Sequence, residues 1–318
     1  MIPVCNCADG DTIQNFGGAT GCIDGIGVAE HAILLNNSKI DGTSNGIDTV
    51  NDTLDASFFN GKFKDVEPRE RWLFLEGVTD FDAPAVDPIT EDFTNGKVEK
   101  LADGVKEVTF FIITSEAAKL AAKLKASECR DLAIMYVDDN DSLIGELSGT
   151  DFIGRKIQNG SFDVQVIEKT YTTASKVQIK FKYDRSASET AVDYIKNSSI
   201  SGFTLSSDAV ALQDTRITYT SAALAALTFD LAIDFGGVES RIPAGGLTDA
   251  ELEIYNVTQA SVEATSSIVE SPLGTYVATY STPVASSDVM AVRGIGQVYV
   301  QKTYDLKALK GVQSLPSA

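Results

Sequence analysis

The sequence predicts a mainly β protein with two regions of different character. Three observations support this: apolar and polar residues alternate strictly in several segments, glycine- and asparagine-rich turns separate them, and only one stretch has a convincing helical pattern. With 318 residues, the chain is long enough for two domains. We therefore expect a sheet-rich domain over residues 1–190, a β-sandwich over 201–306 and a flexible tail over 307–318.

The first 66 residues are rich in Gly, Asn, Asp and Thr, and we expect an arm and a long loop there, with one strand at 32–35. Three of the four cysteines, Cys5, Cys7 and Cys22, lie in this region. Together with the single histidine, His31, they could hold zinc, although the spacing contains no C-x₂-C pair. Small buried or partly buried thiols are the alternative.

A strand and then a helix follow. VKEVTFFII alternates as a strand, and EAAKLAAKLKAS places Leu120 and Leu124 on one face of a helix that Thr114 or Ser115 can cap. LAIMYV and SLIGEL predict a hairpin with DDND as its turn. A calcium loop at this turn would need Gly at its sixth position, where the sequence has Leu143.

The segments SFDVQVIEK and SKVQIKFKYDR predict two long antiparallel strands with one apolar and one cationic face. The expected core of the sheet-rich domain comprises Phe110, Leu120, Leu124, Phe162, Val164, Ile179 and Phe181. The lysines on the opposite face, Lys176, Lys180 and Lys182, either serve solubility or pair with acidic groups of a neighbouring copy.

Residues 186–201 are a candidate linker, after which the composition shifts to Ala, Ser, Thr and Val. Short alternating runs then recur at the spacing typical of a β-sandwich. In GTYVATYS, Gly274 precedes Tyr276, as in immunoglobulin-like domains where a tyrosine closes a corner. These features predict a sandwich in the C-terminal third.

The net charge is −19, and residues 1–100 hold 18 acidic and 7 basic side chains. Such a surface does not favour nucleic acid or anionic lipid, but it would let DNA slide past without sticking. No apolar run approaches the roughly 20 residues that span a bilayer. The N-terminus has no basic start and no apolar stretch, so we expect no signal peptide, no membrane partner and assembly in a reducing cytoplasm.

No catalytic constellation stands out, and we expect neither enzymatic activity nor a cofactor or metal. His31 is the only histidine and has no nucleophile motif beside it. The chain has no phosphate-binding loop and no H-E-x-x-H, although carboxylates are too abundant for counting to exclude a glycosidase pair. Asn256-Val257-Thr258 matches a glycosylation acceptor without an accompanying export signal.

Several segments, in order, resemble the tail tube proteins of long-tailed bacteriophages, particularly those associated with Bacteroidetes hosts. They are CNCADGDT, GCIDGIGVAE, DGTSNGID, ERWLFLEGVTDFDAP, GVKEVTFFI, ECRDLAIMYVDDNDSLIGEL and FDVQVIEKTYTTASKVQIKFKYD, and they cover roughly residues 1–185. The run GGLTDAELEIYNVT, SPLGTYVATYS and DVMAV separately resembles bacterial immunoglobulin-like domains that are appended to phage structural proteins.

The resemblance implies a virion structural protein with two packed sheets and a flanking helix. Six copies would close a homohexameric ring, and stacked rings would form a tube whose acidic lumen conducts DNA transiently during genome ejection. Its partners would be itself and other tail proteins, such as the tape measure, terminator and baseplate. It would be located in the virion tail after assembly in the host cytoplasm. The alternatives are a head decoration protein or adhesin, and a hydrolase with an attached sandwich.

Overall fold

The computed structural model describes residues 27–315, apart from 66, 85, 88, 93–97, 103, 188–190, 210–211, 234–241, 298–299, 307–308 and 310–311. The protein is mainly β, with curled sheets and few helices, which confirms the predicted class. The predicted arm up to residue 26, including Cys5, Cys7 and Cys22, lies outside the described residues. None of the helices within the described ranges has the length and apolarity needed to span a lipid bilayer.

Residues 29–209 form what we call the N-terminal unit. Its strands are β1 (Ala29–Asn36), β2 (Ile47–Asp48), β3 (Leu73–Leu75), β4 (Val78–Asp82), β5 (Ile89–Asp92), β6 (Val98–Ala102), β7 (Glu107–Ile113), β8 (Leu132–Asp138), β9 (Leu143–Ser148), β10 (Asp151–Ile153), β11 (Arg155–Lys156), β12 (Asp163–Ile167), β13 (Lys176–Lys182) and β14 (Val192–Ile195). Its α-helices are α1 (Ala56–Phe63), α2 (Ala117–Lys125) and α3 (Leu205–Asp208).

An eight-stranded sheet, the central sheet, organises this unit in the order β2-β10-β9-β8-β1-β3, with β11 and β14 paired to β8 and β9. The middle strands β1 and β8 are antiparallel and apolar on both faces. In β1, Ala32 and Leu34 enter one core, whereas Ile33 and Leu35 enter another. Burial on both faces explains why AILL and LAIMYV are continuous apolar runs rather than alternating ones.

The first core lies between the central sheet and a four-stranded sheet of order β12-β13-β7-β4, which we call the lysine sheet. Helix α2 contributes its buried face to the same core, together with residues from both sheets. Six predicted core residues are buried there and Leu120 packs against them half-buried; the six are Phe110, Leu124, Phe162, Val164, Ile179 and Phe181.

Helix α2 occupies the predicted segment, with a different cap geometry from the one expected. Its N-cap residue is Glu116, whose side chain makes no capping hydrogen bond. The hydroxyl of Thr114 instead accepts a hydrogen bond from the backbone N–H of Glu116 at 3.2 Å. Lys123 and Lys125 lie in the last turn, where cations are favoured by the helix dipole.

A second core covers the opposite face of the central sheet and contains a helix that the sequence prediction missed. The carboxylate of Asp55 caps α1 by accepting from the backbone N–H of Phe58 at 2.9 Å. Phe59 and Phe63 lie one turn apart and are both buried, against Phe203 among others. The expectation of an arm and long loop up to residue 66 is therefore wrong for this part.

The segment predicted as a linker, 186–201, differs from that prediction because it contains part of the N-terminal unit. Strand β14 pairs with β9 in the central sheet over four residues, Val192–Ile195. Beyond it, Phe203, Leu205 and Ala209 are buried in the second core. Their apolar side chains cover the central sheet and therefore stay with it.

Residues 213–315 form the C-terminal unit. Its strands are β15 (Gln213–Ala222), β16 (Ala226–Ile233), β17 (Leu252–Asn256), β18 (Ser261–Glu263), β19 (Thr265–Glu270), β20 (Thr275–Tyr280), β21 (Val289–Gly294), β22 (Val300–Gln301), β23 (Tyr304–Asp305) and β24 (Gln313–Ser314). They form two sheets, β19-β20-β16-β15-β23-β22 and β18-β17-β21-β24, which share a third core.

The end of the chain was predicted to be a flexible tail from residue 307. In the structure, β24 instead pairs with β21, and Leu315 is buried in the third core. The apolar side chain at position 315 fixes this end of the chain against the sandwiching sheets.

We expect replacement of Phe181 by Ala to lower the free energy of unfolding by about 3–5 kcal/mol. Phe181 is fully buried and contacts the rings of Phe110, Phe162 and Tyr183. Urea denaturation followed by circular dichroism measures the change. Tyr171→Ala, at a fully exposed position, is the control and should change stability by less than about 0.5 kcal/mol. Equal stability of the two variants would contradict the placement of Phe181.

Candidate functional site

The lysine sheet has one face in the first core, and its opposite face, which we call the open face, carries the lysines of β13. In β13, Val177, Ile179 and Phe181 are buried, whereas Lys180 and Lys182 are exposed, as the alternation predicted. In β12, the alternation ends earlier than predicted, because Val166 is 39% exposed. Val166 shares the core-facing side with Val164, whereas the open face combines the lysines of β13 with polar and apolar residues of β7, of which Ile113 is 56% exposed.

Within the open face, the lysines have acidic partners in the same chain. Lys180 Nζ lies 2.6 Å from Glu107 Oε1, and Lys182 Nζ lies 3.8 Å from Glu107 Oε2. Lys176 Nζ is 3.7 Å from Asp80 Oδ2 and 4.0 Å from the ring centroid of Phe111. The sequence had suggested partners on a neighbouring copy, but strands β7 and β4 already supply carboxylates because they continue the same sheet.

The charges of the open face nearly cancel. The four strands contain four acidic and three basic residues, a net charge of −1. They are Asp80, Asp82, Glu107, Asp163, Lys176, Lys180 and Lys182. The charge of −19 carried by the whole chain is therefore located mainly elsewhere, and this face is nearly neutral rather than acidic like the channel surface that the resemblance implied.

Glu107 is the shared acceptor of this surface, and its environment keeps it ionised. The hydrogen bond from Lys180, with the charges of Lys180 and Lys182, lowers the pKa of the Glu107 carboxyl. A lowered pKa means that protonation, and with it the loss of this pairing, occurs only at a more acidic pH than for an ordinary glutamate. The two lysines therefore remain neutralised through the near-neutral range.

Both outer strands of the lysine sheet are free edges within the described residues. Each neighbouring pair in the sheet is antiparallel, so the edge strands β12 and β4 run in opposite directions. Between β4 and β7, strands β5 and β6 pair with each other in a separate two-stranded sheet, which we call the β5–β6 hairpin. Free strand edges expose unpaired backbone groups and favour pairing with another strand.

A buried polar network fixes the lysine sheet to the central sheet. The hydroxyls of Tyr136 and Tyr183 lie 2.9 Å apart, and the guanidinium of Arg155 stacks 3.8 Å from the centroid of the Tyr183 ring. Arg155 Nε in turn lies 3.3 Å from Glu146 Oε1. Burial raises the pKa of both tyrosines, so they stay neutral hydrogen-bonding groups. This network holds the end of β13 in a defined position.

The residues considered as candidates for catalysis or metal binding begin with His31, which is packed into the fold. The ring of His31 packs 5.2 Å from that of Phe74, and its Nδ1 accepts from the backbone N–H of Gly77 at 3.3 Å. No group of three or more His, Cys, Asp and Glu suited to a metal occurs in the part of the chain that the structure describes. The zinc hypothesis for Cys5, Cys7 and Cys22 lies outside that part.

Two further sequence motifs, the DDND turn and the glycosylation pattern, take part in hydrogen bonds within the fold. In the hairpin turn, the carboxylate of Asp138 accepts from the backbone N–H groups of Asn140 at 2.9 Å and Ser142 at 2.8 Å. Asn256, the residue in the glycosylation pattern, is fully buried, and its Nδ2 donates to Glu263 at 2.7 Å and Asp288 at 2.8 Å. Its amide is therefore inaccessible in this fold.

None of the protein-family models matches this chain. No curated protein matches it either. The open face and the free edges of the lysine sheet are accordingly the basis of the functional proposal.

We expect Glu107→Gln to create weak, salt-dependent binding to double-stranded DNA. The substitution leaves Lys180 and Lys182 without their shared carboxylate, and unpaired lysines bind phosphates with release of counterions. Fluorescence polarisation of a short labelled duplex at low and moderate salt measures the binding. Glu253→Gln is the matched control, since it removes the same charge from a pair with Arg293 in the C-terminal unit.

Wild type and Glu253→Gln should bind no DNA near neutral pH. Because the pKa of Glu107 is lowered, acidification of the wild type should have the same effect only after the pH falls below the ordinary glutamate range. Equal DNA binding by the two variants would contradict the neutralising role of Glu107.

Proposed function

We propose that this protein is a virion structural protein that assembles into stacked rings, as phage tail tube proteins do, and conducts DNA through the channel. The observation that carries the proposal is the lysine sheet. It is a four-stranded antiparallel sheet whose two edges, free within the described residues, run in opposite directions, and its open face has nearly balanced charge. No catalytic role is part of the proposal.

The direction of the two edges supports closure into a ring. When copies are arranged around an axis, β4 of one copy comes beside β12 of the next, and the two are antiparallel. Four alternating strands per copy therefore continue the pattern without a break for any number of copies. A closed barrel removes the free edges that each single copy would expose.

Six copies would give a barrel of about 24 strands, which is wider than the 16–18-stranded barrels that already hold an aqueous channel. The open face would line this channel, because the opposite face is occupied by the first core. Each lysine there has an acidic partner, so phosphates of DNA would meet little free positive charge. DNA would pass without being held.

We propose that the ring-to-ring contacts are made by segments outside the central sheet and the lysine sheet. The β5–β6 hairpin has strand partners only within itself among the described residues, and two-stranded hairpins are marginally stable alone. We propose that it packs on a neighbouring copy, as does the N-terminal arm. The loops around α1 contribute the exposed apolar residues Ile40 and Val50, while α1 itself stays packed in the second core.

We propose that the C-terminal unit is an immunoglobulin-like domain and that it decorates the outside of the tube. The orders β19-β20-β16-β15 and β18-β17-β21-β24 correspond to the D-E-B-A and C′-C-F-G sheets of that fold. Tyr276 is buried, and its hydroxyl donates to the carbonyl of Ala244 at 2.8 Å, so it anchors a loop. Burial raises its pKa to about 12.

The outside placement follows from size, since a folded domain does not fit a channel shaped for one DNA duplex. In this setting the remaining partners would be other tail proteins, such as the tape measure, terminator and baseplate. The location would be the virion tail, after assembly in the cytoplasm of the bacterial host.

A surface-binding protein is the second candidate, and one observation favours it. Leu273 and Ile242 are 66% and 52% exposed on loops of the C-terminal unit. Those loops are held by Glu270, whose carboxylate accepts from the backbone N–H of Gly246 at 2.9 Å and of Gly274 at 2.6 Å. Loops that are fixed at Gly246 and Gly274 and carry exposed apolar side chains are suited to recognition, as in a head decoration protein or an adhesin.

Negative-stain microscopy of the purified protein tests the assembly, and we expect rings or hollow tubes. Val166→Lys should prevent them, because a lysine on edge strand β12 blocks pairing with another strand. Val262→Lys is the control: Val262 lies on edge strand β18 of the C-terminal unit and is 51% exposed, so its replacement should leave assembly intact. If the Val166→Lys variant formed the same tubes as the wild type, pairing through β12 would be refuted.

A wild-type protein that stays monomeric or trimeric until a capsid is supplied would identify a decoration protein instead. Catalytic turnover of a polymer substrate without any assembly would point to a hydrolase.

We expect a chain that ends at Ala209 to fold and assemble, whereas one that ends at residue 190 should not fold. The longer chain keeps β14 and the buried residues Phe203 and Leu205, which the shorter one loses from the central sheet and second core. Circular dichroism and microscopy of the two chains check this. A chain ending at Ala209 that folded but formed no rings would refute the dispensable, external position of the C-terminal unit.

A further inference from the structure

Two ion pairs join the N-terminal unit to the C-terminal unit. Arg71 Nη1 lies 3.0 Å from Asp305 Oδ2, and these side chains are only 18% and 10% exposed. Lys123 Nζ on α2 lies 2.6 Å from Asp214 Oδ2, with side-chain exposures of 41% and 42%. The two basic residues belong to the N-terminal unit and the two acidic residues to the C-terminal unit.

The two carboxylates stand next to each other in the C-terminal unit. Strands β15 and β23 pair in parallel, and Asp214 is the register partner of Asp305. Like charges at neighbouring positions of a sheet destabilise it. Arg71 and Lys123 of the N-terminal unit supply the opposite charges and so compensate the two carboxylates of the C-terminal unit.

Both partners of the shielded pair are also fixed within their own units. Arg71 Nε donates to the backbone carbonyl of Asp65 at 2.8 Å. The backbone carbonyl of Asp305 accepts from the hydroxyl of Thr215 at 2.8 Å, and Thr215 is fully buried. A contact between two anchored groups constrains orientation more than a contact between mobile side chains.

The connection between the units is short. Ala209 is buried in the second core, and β15 begins at Gln213, so only three residues separate the two. Such a segment spans at most about 14 Å from Ala209 to Gln213. The C-terminal unit is therefore held beside the N-terminal unit by the chain itself, and the ion pairs act at short range.

We infer that Arg71, Lys123, Asp214 and Asp305 form a charge clasp that fixes the C-terminal unit in one orientation on the N-terminal unit. The clasp is a property of the single chain and does not depend on ring formation. If the rings form, every copy would carry its C-terminal unit at the same angle.

Zero-length cross-linking of the full-length protein tests the clasp. A water-soluble carbodiimide joins an amine to a carboxylate in direct contact, so we expect a peptide cross-linked between Lys123 and Asp214 by mass spectrometry. Lys180 and Glu107, also 2.6 Å apart but within one unit, provide the internal reference. In a mixture of isotopically light and heavy chains, the Lys123–Asp214 product should join peptides of the same label.

Arg71→Gln should lower the ratio of the Lys123–Asp214 product to the reference product about tenfold or more. The reason is that the free energy lost on breaking a shielded ion pair exceeds the ~1.4 kcal/mol that corresponds to a factor of ten. Asp305→Asn should have the same effect, and it leaves the contact of Arg71 with Asp65 intact. Arg293→Gln breaks a comparably shielded pair with Glu253 inside the C-terminal unit and should leave the ratio unchanged.

A wild-type ratio in both Arg71→Gln and Asp305→Asn, with circular dichroism showing folded protein, would overturn the clasp. An equal loss in Arg293→Gln, or a product that joins differently labelled chains, would overturn it as well.

Discussion

The pairing of β1 with β8 is the constraint on which the N-terminal unit depends. Both strands are apolar on both faces, so each face of the central sheet must be covered. The lysine sheet and α2 cover one face, and α1 with the segment around Phe203 and Leu205 covers the other. A two-stranded apolar ribbon without these layers would expose its residues to water at roughly 25 cal/mol per Å² of apolar surface.

The packing of the lysine sheet on the central sheet determines which residues can occupy its two faces. Once its apolar face is used by the first core, its other face must be largely polar, and a row of lysines is one way to achieve that. Three unpaired lysines in a row would attract phosphate, however. Glu107 and Asp80 prevent this, and because exposed ion pairs are worth only about 0–1 kcal/mol each, their effect is on the charge of the surface more than on stability.

Local periodicity was sufficient to predict much of this fold. The alternation in β13, the hairpin of β8 and β9 and the amphipathic α2 all follow from residue spacing within one segment. Helix α1 was missed because its eight residues include Gly61 and lie in a glycine- and asparagine-rich stretch. The usable signal was Asp55 as a cap, followed by Phe59 and Phe63 one turn apart.

Contacts between distant segments could not be predicted in this way. The partner of Lys180 is Glu107 because β7 lies beside β13 in the sheet, and residue spacing within either strand does not specify that register. The segment after residue 186 resembled a linker by composition, yet its scattered apolar residues reach the second core. Arg71 and Asp305 likewise meet only through the folded chain.

The lengths of the free edges indicate where the N-terminal unit would self-associate. In the central sheet, the terminal strands β2 and β3 have two and three residues, and very short edge strands offer little for another chain to pair with. In the lysine sheet, β12 and β4 have five residues each. The positive φ of Asp80 and the bulge in β4 twist that edge locally, which restricts the partners that can pair with it. An edge that is long enough to pair but too irregular for indiscriminate pairing is suited to a specific neighbour, and in a homomeric ring that neighbour is β12 of the next copy.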